Sequence, residues 1–369
     1  MPKIMKKKKT ATTANLILMN NNYQKLMKKC IALARKANGK NMPNPFVGAI
    51  VYDEKKDLII SKGFHEEYGK SHAEVNAINN AKGNTKNKTL VVNLEPCSHY
   101  GKTPPCADLI IKSGFKKVVV GTLDPNPLVS GRGIEKIKQA GIEVTVGILE
   151  EDCRELNKIF IKNITDKKPY VMLKTATTLD AKIATEDYKS KWITNEPARN
   201  HVQKLRASYQ AIMTGSGTVI ADNPRLNVRL KNKKSPIRII FDPNNKLNFD
   251  YNVFKDDGVK VILVNNSDKN VPKHIEKIPF TTFDDLFKKL YQMKIYSIMV
   301  EAGQGLNSAL IKEKEVDEIN LFIAPKIFGS GLDYVSGLGI KEVEDCIKLK
   351  NVKIKRFEDN FLINGKIEK

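Results

Sequence analysis

Three donors for a single metal ion are spread along the first third of this chain, and any fold that uses them must bring them to one point. They are His72, in the run His72-Ala73-Glu74, then Cys97, preceded by Pro96, and Cys106. Imidazole nitrogen and thiolate sulfur are donors that zinc takes in tetrahedral geometry. Three protein ligands rather than four leave one position for water, which separates a catalytic zinc from a structural one. Glu74, two residues past the histidine, is placed to shuttle protons for that water and reads as the catalytic residue. Taken singly, His72 reads as a surface or packed histidine and the cysteines as buried apolar residues. Their order, together with Glu74 and Pro96, favours zinc.

The surrounding pattern explains how such a site forms. An amphipathic helix is expected from Tyr23, with Leu26, Cys30, Ile31 and Ala34 on one face. Strands are expected at Val47–Tyr52, Leu58–Phe64, Thr89–Asn93, Lys117–Gly121 and Glu143–Ile148. Helices are expected from Ala73 to about Ala81, Pro105 to Ser113 and Gly133 to Ala140, with a long one from Glu150 to about Asn163. Strands alternating with helices imply an α/β fold. His72 and Cys106 then fall near helix N-termini, whose positive end favours thiolate over thiol. Thr165-Asp166-Lys167-Lys168-Pro169 reads as a linker. A second strand–helix series starts at Tyr170–Ala176 and runs through strands at Ala211–Thr214, Ile237–Phe241, Val259–Val264, Ser297–Glu301 and Glu318–Ala324. Its helices fall near Pro197–Ser208, at Phe283–Leu290 and from Gly305 through Ile311.

At 369 residues two domains are the default. No apolar run has the length of a membrane span. Five cysteines, two of them claimed by zinc, fit a reducing cytoplasm better than secretion. The formal charge of +22 raises nucleic-acid binding. Only nine of the 63 basic residues are arginine, however, and the lysines are scattered among Asn and Ile. That is compositional bias and not a binding patch. The first 19 residues, with Lys6-Lys7-Lys8-Lys9, read as a disordered extension, because Leu16-Ile17-Leu18-Met19 is too short for a signal segment.

Zinc deaminases carry the signature H-x-E…P-C-x-x-C. Here the second cysteine lies nine residues after the first, so a loop must leave the metal and return. With Pro43-Asn44-Pro45-Phe46-Val47-Gly48, His72-Ala73-Glu74-Val75-Asn76-Ala77 and Asp124-Pro125-Asn126-Pro127, the chain resembles the bifunctional deaminase/reductases of riboflavin biosynthesis from about Asn20 to near its C-terminus. The resemblance implies a cytidine-deaminase-like α/β/α sandwich over residues 20–165 and a dihydrofolate-reductase-like α/β domain over 166–369. It implies hydrolytic, zinc-dependent deamination of a phosphoribosylaminopyrimidine, followed by NADPH-dependent reduction of its ribosyl group. It makes Asn44 and Lys102 substrate contacts, and His65 and His99 pocket groups rather than ligands. A homo-oligomer acting in the cytoplasm on a small molecule, with no nucleic-acid or membrane partner, is expected.

In the second half, Glu301-Ala302-Gly303-Gln304-Gly305 follows an apolar strand, and glycines at a strand-to-helix turn let backbone N–H groups approach a phosphate. A Rossmann fingerprint would need an acidic residue about 20 positions onward, where Ile323 stands instead. The resemblance is carried by Lys174–Asp180, Ser190–Thr194, Thr218–Pro224 and Ala324-Pro325-Lys326. It implies that Ala176, Trp192, Thr218, Asp222, Gly303, Gln304, Gly305, Leu306, Asn307, Ser308 and Ala309 contact NADPH. Ala176 stands where the family commonly has glycine. Ser190, Arg206, Leu226, Arg229 and Glu301 are implied substrate contacts, with Lys174 near the reacting sugar. In a lysine-rich chain, Arg206 and Arg229 suit bidentate phosphate binding, though they also read as surface arginines. Trp192 reads equally as core, and Asp222 and Glu301 as turn-capping carboxylates. A nucleic-acid base deaminase with an appended basic domain is the alternative reading. It prefers C-x-x-C and does not need the Gly303 turn. A zinc-stabilised binding module would want a fourth protein ligand.

Overall fold

A computed structural model describes residues 13–100, 104–126, 130–268 and 270–368, with side chains from residue 21 onward. The chain divides into two compact units, Met1–Thr165 and Asp166–Lys369.

The first unit is built from α1 (Thr13–Ala34), β1 (Gly48–Asp53), β2 (Leu58–Phe64), α2 (Ala73–Asn80), β3 (Thr89–Leu94), α3 (Cys106–Lys112), β4 (Lys117–Thr122), α4 (Arg132–Gln139), β5 (Glu143–Val146), α5 (Glu150–Leu156) and α6 (Lys158–Asp166). Its sheet has the order β2-β1-β3-β4-β5. β1 is antiparallel to both neighbours, whereas β3, β4 and β5 are parallel. Every residue of β1, β3 and β4 is buried, as expected of strands covered on both faces. Alternate side chains feed two cores. Val51, Val92 and Val120 meet Ala77, Ile110 and Ile137 from α2, α3 and α4. Ile50, Val91 and Val119 meet Met27 and Cys30 from α1 and Cys153 from α5. This is the α/β/α sandwich.

Two differences from the sequence reading have physical causes. No Gly or Pro interrupts residues 13–34, and α1 begins ten residues before Tyr23; Met1 to Thr12 lie outside the described residues. The long helix expected from Glu150 is broken at Asn157, whose backbone leaves helical geometry (φ −107°, ψ 17°). Its buried side chain is needed elsewhere: Oδ1 accepts from the Phe46 N–H at 2.7 Å and Nδ2 donates to the Phe46 carbonyl at 3.0 Å. Helix then resumes through Asp166, so Thr165 and Asp166 are helical and not linker.

The second unit contains β6 (Tyr170–Thr177), β7 (Lys182–Ala184), α7 (Glu196–Arg206), β8 (Ala211–Gly215), α8 (Ser216–Asp222), β9 (Ile237–Phe241), β10 (Val261–Val264), β11 (Ile275–Ile278), α9 (Phe283–Gln292), β12 (Ser297–Val300), α10 (Gln304–Lys312), β13 (Glu318–Ile323), β14 (Leu332–Asp333), β15 (Leu349–Phe357) and β16 (Asn360–Ile367). Nine strands form one sheet in the order β11-β10-β9-β8-β12-β6-β13-β16-β15, while β7 and β14 pair as a separate ribbon. From β11 to β13 all pairs are parallel, and the β13–β16–β15 edge is antiparallel. One face packs on α9 and α10 through Phe283, Leu286, Phe287 and Leu310. Strand order reverses between β8 and β12, the kind of switch point at which parallel sheets open a crevice outside their carboxyl ends. The sequence pattern does not mark α8, β7, β11, β14 or the β15–β16 hairpin. Most of these are short, and β15 is exposed along nearly its whole length; β16 does bury Asn360, Leu362 and Gly365, but with a polar residue and a glycine among the three its pattern is not an apolar alternation.

Candidate functional sites

His72 is the N-cap of α2, Cys106 is the first residue of α3, and Cys97 lies in the turn that leaves β3. The sheet therefore delivers all three donors to one end of the unit. Their donor atoms lie within 4.8 Å of one another. His72 Nδ1 is 3.3 Å from Cys106 Sγ and 3.7 Å from Cys97 Sγ. The Cys106 backbone N–H donates to Cys97 Sγ at 3.3 Å. The Cys106 thiol also hydrogen-bonds the Cys97 sulfur. That bond outweighs burial and, with His72, holds the Cys97 thiol well below the ordinary cysteine value. An imidazole and two cysteine sulfurs converging this closely fit zinc in donor type and spacing. Among the described residues, no other His, Cys, Asp or Glu group converges in this way. The position left for water suits a catalytic ion.

Glu74 is in the first turn of α2 and only 4% exposed. Burial pushes its carboxyl up to about 7, with nearby His72 pulling against that shift. His65 lies beside the cluster, its ring edge-on to His72 with centroids 5.7 Å apart. Asn44 Nδ2 meets His65 Nε2 at 3.0 Å, which makes Nε2 the acceptor and leaves Nδ1–H to donate to the Ser71 carbonyl at 3.0 Å. Burial holds His65 below the ordinary histidine value. His99 is exposed and stands outside the donor group. Lys102 lies outside the described residues. The loop carrying Asn44 is held by two asparagines that sequence reading missed. Asn157 binds both sides of the Phe46 backbone, and Asn93 accepts from the Gly48 N–H at 2.7 Å and donates to the Phe46 carbonyl at 2.9 Å. Amide side chains bonded to distant backbone carry no spacing signal.

The second unit encloses a cavity of roughly 680 Å³ at the carboxyl ends of β6, β8, β9 and β12. Its wall includes Lys174, Ala176, Ser190, Trp192, Arg206, Thr218, Asp222, Leu226, Arg229, Glu301, Gly303, Gln304, Gly305, Leu306 and Ala309. Two expected residues are not on the wall. Asn307 is fully buried, donating to the carbonyls of Ala302 and Tyr334, and Ser308 accepts from the Ser336 N–H at 2.9 Å. Helical rotation turns both away, while Gly305 and Ala309, four apart, share the cavity side. Sequence reading also missed Gly215, Ser216, Phe241, Pro243, Asn244 and Arg199 on the wall. Apart from Arg199 these are uncharged and carry no motif.

Glu301 is the electrostatic centre of this cavity. Arg206 grips it with Nε on Oε1 at 2.6 Å and Nη2 on Oε2 at 2.8 Å, while Lys174 Nζ stands 3.5 Å from Oε2. Burial would raise its carboxyl, but the two cations win and hold it at about 2. Arg206 also donates through Nη1 to the Asn227 carbonyl at 3.2 Å, so it is not a free surface arginine. Arg229 is the exposed one; among the described residues its guanidinium has no ion pair. Ser190 Oγ donates to Asp222 Oδ1 at 2.9 Å. Trp192 is 60% exposed and therefore not core, with the Arg199 guanidinium 4.5 Å from its ring centroid. Gly303 caps α10, and a Cβ built on Gly305 would meet nothing within 4 Å, so backbone at the start of α10 is open to a ligand. Open helix-start backbone and an exposed indole fit an extended polyanionic dinucleotide, and the unpaired Arg229 leaves a second anion site on the same wall.

The chain matches the cytidine and deoxycytidylate deaminase zinc-binding region over residues 20–122 and the RibD C-terminal domain over residues 169–363. Riboflavin biosynthesis protein RibD of Aquifex aeolicus is 42% identical over 353 residues, covering 94% of this chain and 98% of its own. The Escherichia coli RibD is 35% identical, with 89% and 95% covered. A diaminohydroxyphosphoribosylaminopyrimidine deaminase/5-amino-6-(5-phosphoribosylamino)uracil reductase of Thermotoga maritima superimposes with a TM-score of 0.84 at 41% identity, covering 95% of this chain and all of that one. Among the described residues no helix is long and apolar enough to cross a membrane. With both halves matched and the similarity running almost end to end, the chain belongs to the RibD family of bifunctional deaminase/reductases of riboflavin biosynthesis.

Proposed function

We propose that the unit spanning residues 20–165 hydrolyses the 2-amino group of 2,5-diamino-6-(5-phosphoribosylamino)pyrimidin-4(3H)-one, and that the unit spanning 166–369 then reduces the ribosyl group to ribityl. The observation that carries this is the convergence of His72, Cys97 and Cys106 beside buried Glu74. His72, Cys97 and Cys106 would hold the zinc ion, which when bound supplies Lewis-acid activation of water at neutral pH. Glu74 takes one proton of the attacking water on its carboxylate and passes it to the ring nitrogen, then carries the second, from the added hydroxyl, to the amino group, which departs as ammonia. Asn44, with its amide fixed on His65, orients the pyrimidine. Lys102 is proposed to contact it as well.

In the second unit NADPH, when bound, supplies the hydride for C1 of the open-chain sugar. The start of α10, with Thr218, Asp222, Ala176 and Trp192, would hold it. Lys174 keeps a proton at Nζ beside the reacting sugar, and Glu301 fixes that ammonium. Arg229, with Ser190 and the Leu226 turn, takes the substrate phosphate, and Arg206 serves the same end of the pocket. The match of the second unit to a reductase domain, and not to a nucleic-acid-binding module, favours this over a base deaminase with an appended basic domain. The same reading places the enzyme in the cytoplasm, where its cysteines stay reduced, as a homo-oligomer acting on a small molecule rather than on nucleic acid or a membrane.

Mass spectrometry of the products from the pyrimidine substrate tests both steps in one run. Without NADPH the amino-to-oxo conversion alone is expected; adding NADPH should give the ribityl product. Unchanged substrate in both samples would overturn the assignment.

A further inference from the structure

Glu95 closes the two-residue approach to Cys97, and nothing in the chemistry assigned above uses its carboxylate. It is 3% exposed, yet it faces no cation in ion-pair range among the described residues. Its partners are backbone N–H groups. Oε2 accepts from Asp124 at 3.1 Å and Gly131 at 2.9 Å, while Oε1 accepts from Gly133 at 3.0 Å and Ile134 at 3.4 Å. One side chain thus joins the end of β3 to the residue two beyond β4 and to the first turn of α4. Its own N–H adds a bond to the Thr122 carbonyl at 2.9 Å.

We propose that Glu95 is a positioning residue for the deaminase site: it clamps Asp124 and the start of α4 onto the Pro96-Cys97 turn, and so fixes where the Cys97 sulfur stands. Three observations carry this. The first is the four-donor arrangement. A carboxylate is acceptor-only with about four lone-pair sites, and no uncharged side chain offers as many. Second, the packing leaves no slack: a Cβ on Gly133 would lie 2.1 Å from the Pro96 carbonyl oxygen. Third, Pro96 has no N–H and restricts the residue before it to extended backbone. Glu95 therefore cannot be replaced by local secondary structure as the anchor of this turn. Cys97 follows at once, 3.7 Å from His72 Nδ1. Asp124 is held where its carboxyl feels Cys97 and His99.

The inference rests on the deaminase reading of the His72–Cys97–Cys106 cluster. The experiment compares the zinc-loaded full-length enzyme with its Glu95→Gln variant, which keeps volume but turns an amide N–H₂ toward N–H donors. Well below the melting temperature, deamination kcat should fall about tenfold, the scale of lost support behind a metal ligand. Zinc should also pass faster to a chelator. The reductase rate of the same chain should be unchanged, which shows that the reductase unit is intact, and a cooperative melting transition of the deaminase unit above the assay temperature shows that this unit is folded. Glu95→Asp, which keeps both oxygens but shortens their reach, should show the same signature to a smaller degree. It also serves if the Gln variant is insoluble. A lower melting temperature with parental kcat and zinc release, in either variant, would overturn the proposal by making Glu95 a purely structural group. A parent enzyme with no deaminase activity would instead fault the reading of the site.

Discussion

Arg206 and Glu301 are joined by two parallel hydrogen bonds, so the arginine that sequence alone offers as a phosphate ligand already holds a carboxylate. Glu301 in turn faces Lys174, which makes three residues from α7, β6 and the end of β12 one charged unit. Removing Arg206 would leave Glu301 largely buried without its main partner. Breaking such a pair costs about 3 kcal/mol. Arg206→Ala should therefore lower the melting temperature of the reductase unit and slow reduction, while zinc-dependent deamination continues. Calorimetry with two activity assays checks this; parental stability would refute it.

The same pair fixes a pH dependence. The Glu301 carboxyl is depressed to about 2, so its contribution to stability is fully present above the unfolded carboxylate value and is lost as pH falls through about 2. Reduction should show no acid limb from Glu301 above about pH 4. In Arg206→Met, burial is no longer outweighed by the guanidinium, and an acid limb should move into the measurable range. A pH–rate profile for the two enzymes decides it.

One zinc ion per chain is expected, and none in the Cys97→Ser plus Cys106→Ser variant, by metal analysis of purified protein. Reductase activity should survive in that variant, because its cavity lies in the other unit.

Glu74→Gln should keep zinc, since Glu74 is not a donor, yet lose deamination by about 10²–10⁴-fold, the usual worth of a positioned acid–base group. Steady-state deamination beside metal analysis separates the two effects. Activity near that of the parent would exclude Glu74 as the proton carrier.

Arg229→Ala should raise KM for the phosphorylated reductase substrate by about tenfold or more, because a charge-assisted hydrogen bond contributes about 1.5–3 kcal/mol. Little change in melting temperature is expected for an exposed side chain. An unphosphorylated analogue should be indifferent to the substitution, and competition between the two analogues measures the difference.

Legibility in the sequence followed the kind of interaction. The zinc donors and Glu74 were readable because metal chemistry demands particular residues in a particular order. The parallel strands were readable because burial on both faces writes runs such as Val118-Val119-Val120. Bonds from a side chain to distant backbone write nothing, and so Asn157 breaking a helix, Asn93 pinning Phe46 and Glu95 gathering four N–H groups could be seen only in three dimensions. Trp192 was ambiguous because an indole suits a core and a ligand wall equally; its exposure settles that it is not core. Asn307 and Ser308 lie in the helix start that lines the cavity but turn away from its wall, since a motif gives positions along the chain and not rotation about a helix.

The zinc-binding match ends at residue 122, but the groups that shape the site do not. Gly133 and Ile134 hold Glu95, Cys153 fills the core behind β4, and Asn157 secures the loop that bears Asn44. The portable piece of this enzyme is thus longer than its chemical motif. A graft or truncation that kept only His72, Glu74, Cys97 and Cys106 with their local sequence would carry the ligands and leave behind what orients them.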